Sequence, residues 1–121
     1  DYSFIDNIGT TFYFSTDKDA PLKRVIAVDI ANGNKITEVI PQSTETLGNV
    51  SILNNQFVTN YLKDAYTQIR IYDLNGKFVR NVELPGIGSA GGFGGKREDT
   101  ETFYSYSSFN APSTIFRYDM K

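Results

Sequence analysis

Two landmarks recur along this chain with one period, and that period limits the fold more than any other feature. Aromatic-rich segments begin at Phe12 (Phe12-Tyr13-Phe14-Ser15), Phe57 (Phe57-Val58-Thr59-Asn60-Tyr61) and Phe103 (Phe103-Tyr104-Ser105-Tyr106), 45 and 46 residues apart. Each is followed by a segment that ends in Asp between apolar neighbours: Val28-Asp29-Ile30, Tyr72-Asp73-Leu74 and Tyr118-Asp119-Met120, 44 and 46 residues apart. Two independent landmarks agreeing on one spacing argue against chance. A repeat of about 40–50 residues holding several strands is the mark of a β-propeller blade.

Strand patterning fills in the repeat. Lys23 to Ile30 and Gln68 to Leu74 alternate polar and apolar residues, as half-buried strands do. Asn32-Gly33 and Asn75-Gly76 follow them, residues that accept the positive φ of a tight hairpin. Lys35 to Ile40 and Lys77 to Leu84 then end at Pro41 and Pro85; proline cannot donate to a ladder and suits the end of an outer strand. Inner strands are expected at Tyr2 to Ile8, near Val50 to Leu53, and along the glycine-rich Gly86 to Gly95. The expected fold is all-β: a partial β-propeller of just under three four-stranded antiparallel blades. The blades are placed at about 1–43, 44–85 and 86–121, the last without its outer strand.

Composition supports strands and excludes several functions. Eight Tyr and nine Phe stand against one Met and no Trp, and aromatic side chains suit a pleated surface. A net charge of −2 offers no concentrated basic face for a phosphate backbone, so no nucleic-acid partner is expected. No apolar run is long enough to span a bilayer as a helix, and no membrane partner is expected. The chain has no Cys and no His. It therefore lacks thiolate ligands, the commonest transition-metal ligand and the commonest general base near neutral pH. A Ser-His-Asp or Cys-His centre cannot be assembled from these residues alone, and no catalytic residue, cofactor or metal site is expected.

Four short motifs bear on that reading. Gly86-Ile87-Gly88-Ser89-Ala90-Gly91 matches the dinucleotide fingerprint G-x-G-x-x-G, which works only where a helix begins. The glycines that follow, Gly92, Gly94 and Gly95, oppose a helix and favour an inner strand with close backbone approach. Ser15-Thr16-Asp17-Lys18 matches S-x-x-K, but on an extended strand residues three apart point to opposite faces. Asp17 with Asp19, and Glu98 with Asp99 and Glu101, lack the spacing of a hard-cation loop and read as solvated turns. Asn49-Val50-Ser51 is a glycosylation sequon whose use requires export.

The stretch Lys96-Arg97-Glu98-Asp99-Thr100-Glu101-Thr102-Phe103-Tyr104-Ser105-Tyr106-Ser107-Ser108-Phe109, followed by Pro112, Ile115 and Tyr118, resembles the prolyl oligopeptidase family. Tyr61-Leu62-Lys63-Asp64 and Val82-Glu83-Leu84-Pro85-Gly86 agree in order and spacing, so the resemblance covers essentially the whole chain. It implies a segment late in an N-terminal seven-bladed propeller. In the family the propeller caps an α/β-hydrolase domain that cleaves after proline in short peptides, and acts as a steric filter. The nucleophile elbow, the Asp and the His belong to that domain, so the resemblance transfers no catalytic residue here. It suggests one position lining the substrate cavity, Asn60, for which filling or capping a blade interface is an equal alternative.

The functional expectation is a fragment of the substrate-gating propeller of a serine-type prolyl endopeptidase, without activity of its own. A stand-alone binding or scaffold module that reuses these blades is the alternative. The implied partners are the hydrolase domain and remaining blades of the longer chain, and short proline-containing peptides. An isolated run of blades leaves two faces uncovered and is expected to self-associate.

Overall fold

The computed structural model describes residues 1–121, apart from the side chain of Ala111. Eleven strands follow in chain order: β1 (Tyr2–Ile8), β2 (Thr11–Thr16), β3 (Arg24–Asp29), β4 (Lys35–Ile40), β5 (Thr46–Leu53), β6 (Gln56–Lys63), β7 (Tyr66–Asp73), β8 (Phe78–Asn81), β9 (Ser89–Gly92), β10 (Glu101–Ser108) and β11 (Ala111–Asp119). They form three antiparallel sheets, β1-β2-β3-β4, β5-β6-β7-β8 and β9-β10-β11. This is the expected all-β architecture of just under three four-stranded blades.

The three sheets are layered, with one apolar cluster between each pair of neighbours. Tyr13, Val25 and Ile40 of the first sheet meet Leu47, Ile52, Phe57 and Tyr61 of the second. Val58, Ile69, Ile71 and Val82 of the second meet Ala90, Phe93, Tyr104, Tyr106 and Met120 of the third region. Side chains alternate faces along a strand. In β6, therefore, Phe57 and Tyr61 face the first sheet while Val58 faces the third. Both faces are covered, and Phe57, Val58, Thr59 and Tyr61 are all buried. Thr59 meets the cost of burying its hydroxyl by donating to the Arg70 carbonyl at 2.7 Å.

All three Asp signatures close their strands: β3, β7 and β11 end at Asp29, Asp73 and Asp119. The reason is local. Each carboxylate accepts the backbone N–H two residues on, from Ala31 (3.1 Å), Asn75 (2.9 Å) and Lys121 (2.9 Å). Asp73 also takes the Lys77 N–H at 3.0 Å. These Asx turns satisfy amides that the ladder releases and turn the chain out of the sheet.

The aromatic landmark needs one correction. Registering each sheet on its Asp pairs Thr11 with Asp29, Gln56 with Asp73 and Glu101 with Asp119. The true counterpart of Phe12 and Phe57 is thus Thr102; Phe103 sits one residue later, in line with Tyr13 and Val58. A slip of one residue reverses the face. Phe57 is fully buried, whereas Phe103 is 55% exposed on the outer face of the third sheet.

Strand limits differ from the sequence reading in four places. Asn32 closes a 3₁₀ turn (Ile30–Asn32), with Gly33 and Asn34 both at positive φ, so the β3–β4 connection is longer than a two-residue hairpin. β5 begins at Thr46, because Gly48 and Asn49 form a bulge opposite Asn60 that interrupts the alternation. β8 covers only Phe78–Asn81, and the inner strand of the third sheet only Ser89–Gly92.

Candidate functional site

The glycine-rich segment opens no helix. Ser89–Gly92 pairs with β10, Ala90 opposite Tyr106 and Gly92 opposite Tyr104. Its glycines answer to packing at Gly88, where a Cβ would stand 2.3 Å from the Ser107 carbonyl oxygen. At Gly91 and Gly94 a Cβ would meet nothing within 4 Å, so no such constraint acts there. The amides of Thr67 and Ala90 are tied across the sheets, Thr67 N–H to the Gly88 carbonyl (2.8 Å) and Ala90 N–H to the Thr67 hydroxyl (3.1 Å). These bonds and the ladder to β10 make the segment an inner strand rather than the loop before a helix.

The other motifs are also dispersed by the fold. Ser15 is buried in β2, while Lys18 lies in the following turn, where its amide is held by the Thr16 hydroxyl. Asp99 folds back on its own loop and accepts the Lys96 N–H at 2.8 Å. Glu101 pairs with Arg117 on the outer face of the third sheet, with both side chains about half exposed. Among the described residues, no three His, Cys, Asp or Glu side chains gather as a cation site.

Asn60 lies in β6 at the seam between the second sheet and β9, half-buried, and its side-chain amide donates to the Ala90 carbonyl at 3.1 Å. Beside it is a cavity of about 170 Å³, bordered by Asn49, Ser51, Val58, Ile69 and Phe93. Gly92 and Gly94 complete its wall. The Ser51 hydroxyl bridges the same seam to the Phe93 carbonyl at 2.8 Å. Asn60 therefore fastens the inter-sheet seam and borders its hollow at once. The sequon residue Asn49 is exposed in the adjoining bulge.

Sequence reasoning missed the charged groups that lie along the seams between sheets. Arg70 emerges between the first two sheets, pairs with Glu45, and lies 4.1 Å over the Tyr61 ring. The Thr44 hydroxyl and then Arg70 hold the Glu45 carboxyl below its usual range. Burial, and next the adjacent Tyr72 phenol, push Tyr61 well above the ordinary tyrosine range. Arg80 donates to the Tyr118 hydroxyl at 2.9 Å, linking the second and third sheets. Arg97 reaches furthest. Its guanidinium donates to the Asn7 carbonyl of the first sheet at 2.7 Å, while its own carbonyl accepts the Asn55 N–H of the second at 3.2 Å. One loop, 93–100, thus clasps all three sheets. The signal was present at Arg70, a long cation at a buried register position of a core strand, but Arg97 reads in sequence only as part of a polar turn.

The family model of the prolyl oligopeptidase N-terminal β-propeller domain matches residues 1–121. A prolyl endopeptidase of Elizabethkingia meningoseptica is 41% identical over 117 residues, covering 95% of this chain and 16% of that protein. Prolyl oligopeptidase A of Galerina marginata is 32% identical over 119 residues, covering 98% and 16%. Among solved structures, one from a study of inter-domain dynamics in two prolyl endopeptidases superposes with a TM-score of 0.92 at 36% identity, over 98% of this chain and 18% of that one. Substrate-free prolyl oligopeptidase B of Galerina marginata superposes with a TM-score of 0.91 at 30% identity, over 99% and 17%. The chain spans about a sixth of the length of the curated relatives it matches.

Proposed function

This chain belongs to the prolyl oligopeptidase family, as a segment of its N-terminal β-propeller domain, and from that premise we propose that it serves a longer serine peptidase as part of a substrate gate. The carrying observation is that the match runs through all of residues 1–121 yet covers about a sixth of the relatives. In this reading blades at about 1–43, 44–85 and 86–121 stand side by side with the remaining blades. An α/β-hydrolase domain of the same longer chain supplies the nucleophile and its base. Short proline-containing peptides pass the gate, and folded proteins do not.

The residues here contribute shape rather than chemistry. The seam beside Asn60 is narrow and fixed by side-chain bonds to Ala90 and Phe93 carbonyls, so the filter is rigid on this side. We assign Asn60 to the lining of the substrate cavity, on the support of its half-burial and the hollow beside it.

The test is made on the longer protein. Its reading frame should continue into a hydrolase domain with a G-x-S-x-G elbow. The purified enzyme should cleave a proline-containing octapeptide and spare a folded protein, while residues 1–121 alone turn over neither. Asn60→Ala should move KM for peptides with kcat little changed; an unmoved KM removes Asn60 from the lining. A frame without hydrolase sequence would instead make these blades a stand-alone binding or scaffold module. Turnover by residues 1–121, lost on mutating one of its serines, would overturn the gating role.

A further inference from the structure

Ser15 of the S-x-x-K match and Asn49 of the sequon, far apart in sequence, border one hollow of about 210 Å³. It lies between the first sheet and the bulge of β5, with Ile5 and Val50 as apolar wall and Ser3 and Lys23 completing the polar part. Register explains the meeting. Ser15 stands opposite Ser3 in β1 and opposite Val25 in β3. Directly paired residues share a face, and Val25 belongs to the apolar cluster between the first two sheets, so both serines face the second sheet. Across from them the β5 ladder skips from Leu47 to Val50 and leaves Gly48 and Asn49 out of the pairing. Asn49 also borders the hollow beside Asn60, so the two cavities adjoin.

The polar groups around this hollow find no partner within the chain. Ser15 is 8% exposed, yet its hydroxyl bonds to no other group, and a buried hydroxyl without a partner is costly. Lys23 is half-buried and, among the described residues, enters none of the ion pairs. Asp17, in the same β2–β3 connection, takes the Asp1 amine at 2.9 Å instead. Lys23 also holds a left-handed backbone, φ 75°, which costs a non-glycine residue energy and persists only where its surroundings fix it. Here they do. The Lys23 N–H donates to the Ala20 carbonyl at 2.8 Å, and Leu22 is tied through its N–H to Gln42 (2.6 Å) and through its carbonyl to the Leu47 N–H (2.9 Å). A fixed ammonium, two hydroxyls and a side-chain amide against an apolar wall form a donor set for an anion of single charge.

We infer that this hollow holds a carboxylate of the peptide that passes the gate, with the Lys23 ammonium as its counter-charge and the Ser15 hydroxyl and Asn49 amide as donors. This rests on the proposed function above. A carboxylate gives the half-buried lysine the charge partner it lacks and the buried serine the acceptor it lacks. A peptide lying along Asn60 would reach the hollow across Asn49, the residue that the two cavities share. Ile5 and Val50 then pack against the apolar part of the residue that carries the carboxylate.

The experiment uses the full-length enzyme and matched proline-containing octapeptides that end in a free carboxylate or in an amide. KM for the free acid should be about tenfold lower with kcat alike, the scale of one charge-assisted contact made equally in ground and transition states. Lys23→Asn removes the charge while suiting the left-handed backbone, and should bring the two KM values together. Lys23→Arg keeps the charge and should retain the preference. A second pair, amidated peptides that differ only by Glu or Gln, locates the carboxylate. A preference for Glu that disappears in Lys23→Asn assigns the hollow to an acidic side chain; a preference confined to the free acid assigns it to the chain end. Equal KM values within both pairs overturn the site, and so does a preference that survives Lys23→Asn. Either result leaves the gate standing, since the peptides are still cleaved. An enzyme that cleaves none of them overturns the proposed function itself.

Discussion

At the scale of single residues, the repeated Asp explains more of this chain than any other side chain. Asp29, Asp73 and Asp119 are the last residues of their strands, and each holds the amide two positions on. Asp73 binds two amides through one oxygen, Asn75 N–H and Lys77 N–H, and so shapes the whole β7–β8 turn. Removing it leaves both donors to water and frees the turn. Asp73→Ala should lower stability by about 1–2 kcal/mol, the usual cost of losing such a cap, measured by chemical denaturation at low protein concentration. Asp73→Asn retains an acceptor oxygen and should recover most of the loss. An alanine variant as stable as the parent sequence would show the repeat to be incidental.

At the scale of elements, the period and strand types were legible in sequence, but the register was not. The Asp spacing located the strand ends because the Asx turn depends on a single local side chain. The aromatic spacing misled by one position, because Phe103 is a strand residue whose face is decided by pairing with β9 and β11, which no local pattern encodes. The bulge at Gly48 and Asn49 hid the start of β5 for the same reason. At the candidate site, Asn60 was found only through resemblance. Its bond to Ala90 depends on how two sheets stack, and sequence does not display that. The register can be checked by energy. Phe57→Ala should cost about 3–5 kcal/mol, as for other large aromatic core deletions, with Phe57→Leu milder. Phe103→Ala, on an outer face, should stay below about 1 kcal/mol. Equal losses in a denaturation series would restore the phenylalanine alignment and contradict the register.

At the scale of the molecule, the layers end in two uncovered faces. On the first sheet Tyr2, Phe4 and Ile36 are more than half exposed, and across that face the Phe14 ring meets Tyr2 and Phe4 edge to face while Phe4 and Phe12 lie tilted against each other. On the third sheet Phe103 and Ile115 stand in the same position. In isolation, residues 1–121 should therefore self-associate, with an average mass in sedimentation velocity that rises through the micromolar range. Phe4→Ser with Ile36→Ser should shift that rise to higher concentration, and a strictly monomeric wild-type chain would refute the expectation. The clasp between Arg97 and Asn7 has a different consequence, for how the sequence can drift. Its donor is a side chain that must be long and cationic, but its acceptor is a main-chain carbonyl that any residue at position 7 would provide. The two ends of one bond are thus under unequal restraint: it does not depend on the side chain at position 7, which instead donates to the Gly9 carbonyl at 3.1 Å, but it does depend on the side chain at position 97. Because 90 residues separate them, the bond also closes only after the first two sheets have been synthesised, so it contributes nothing to the beginning of the array.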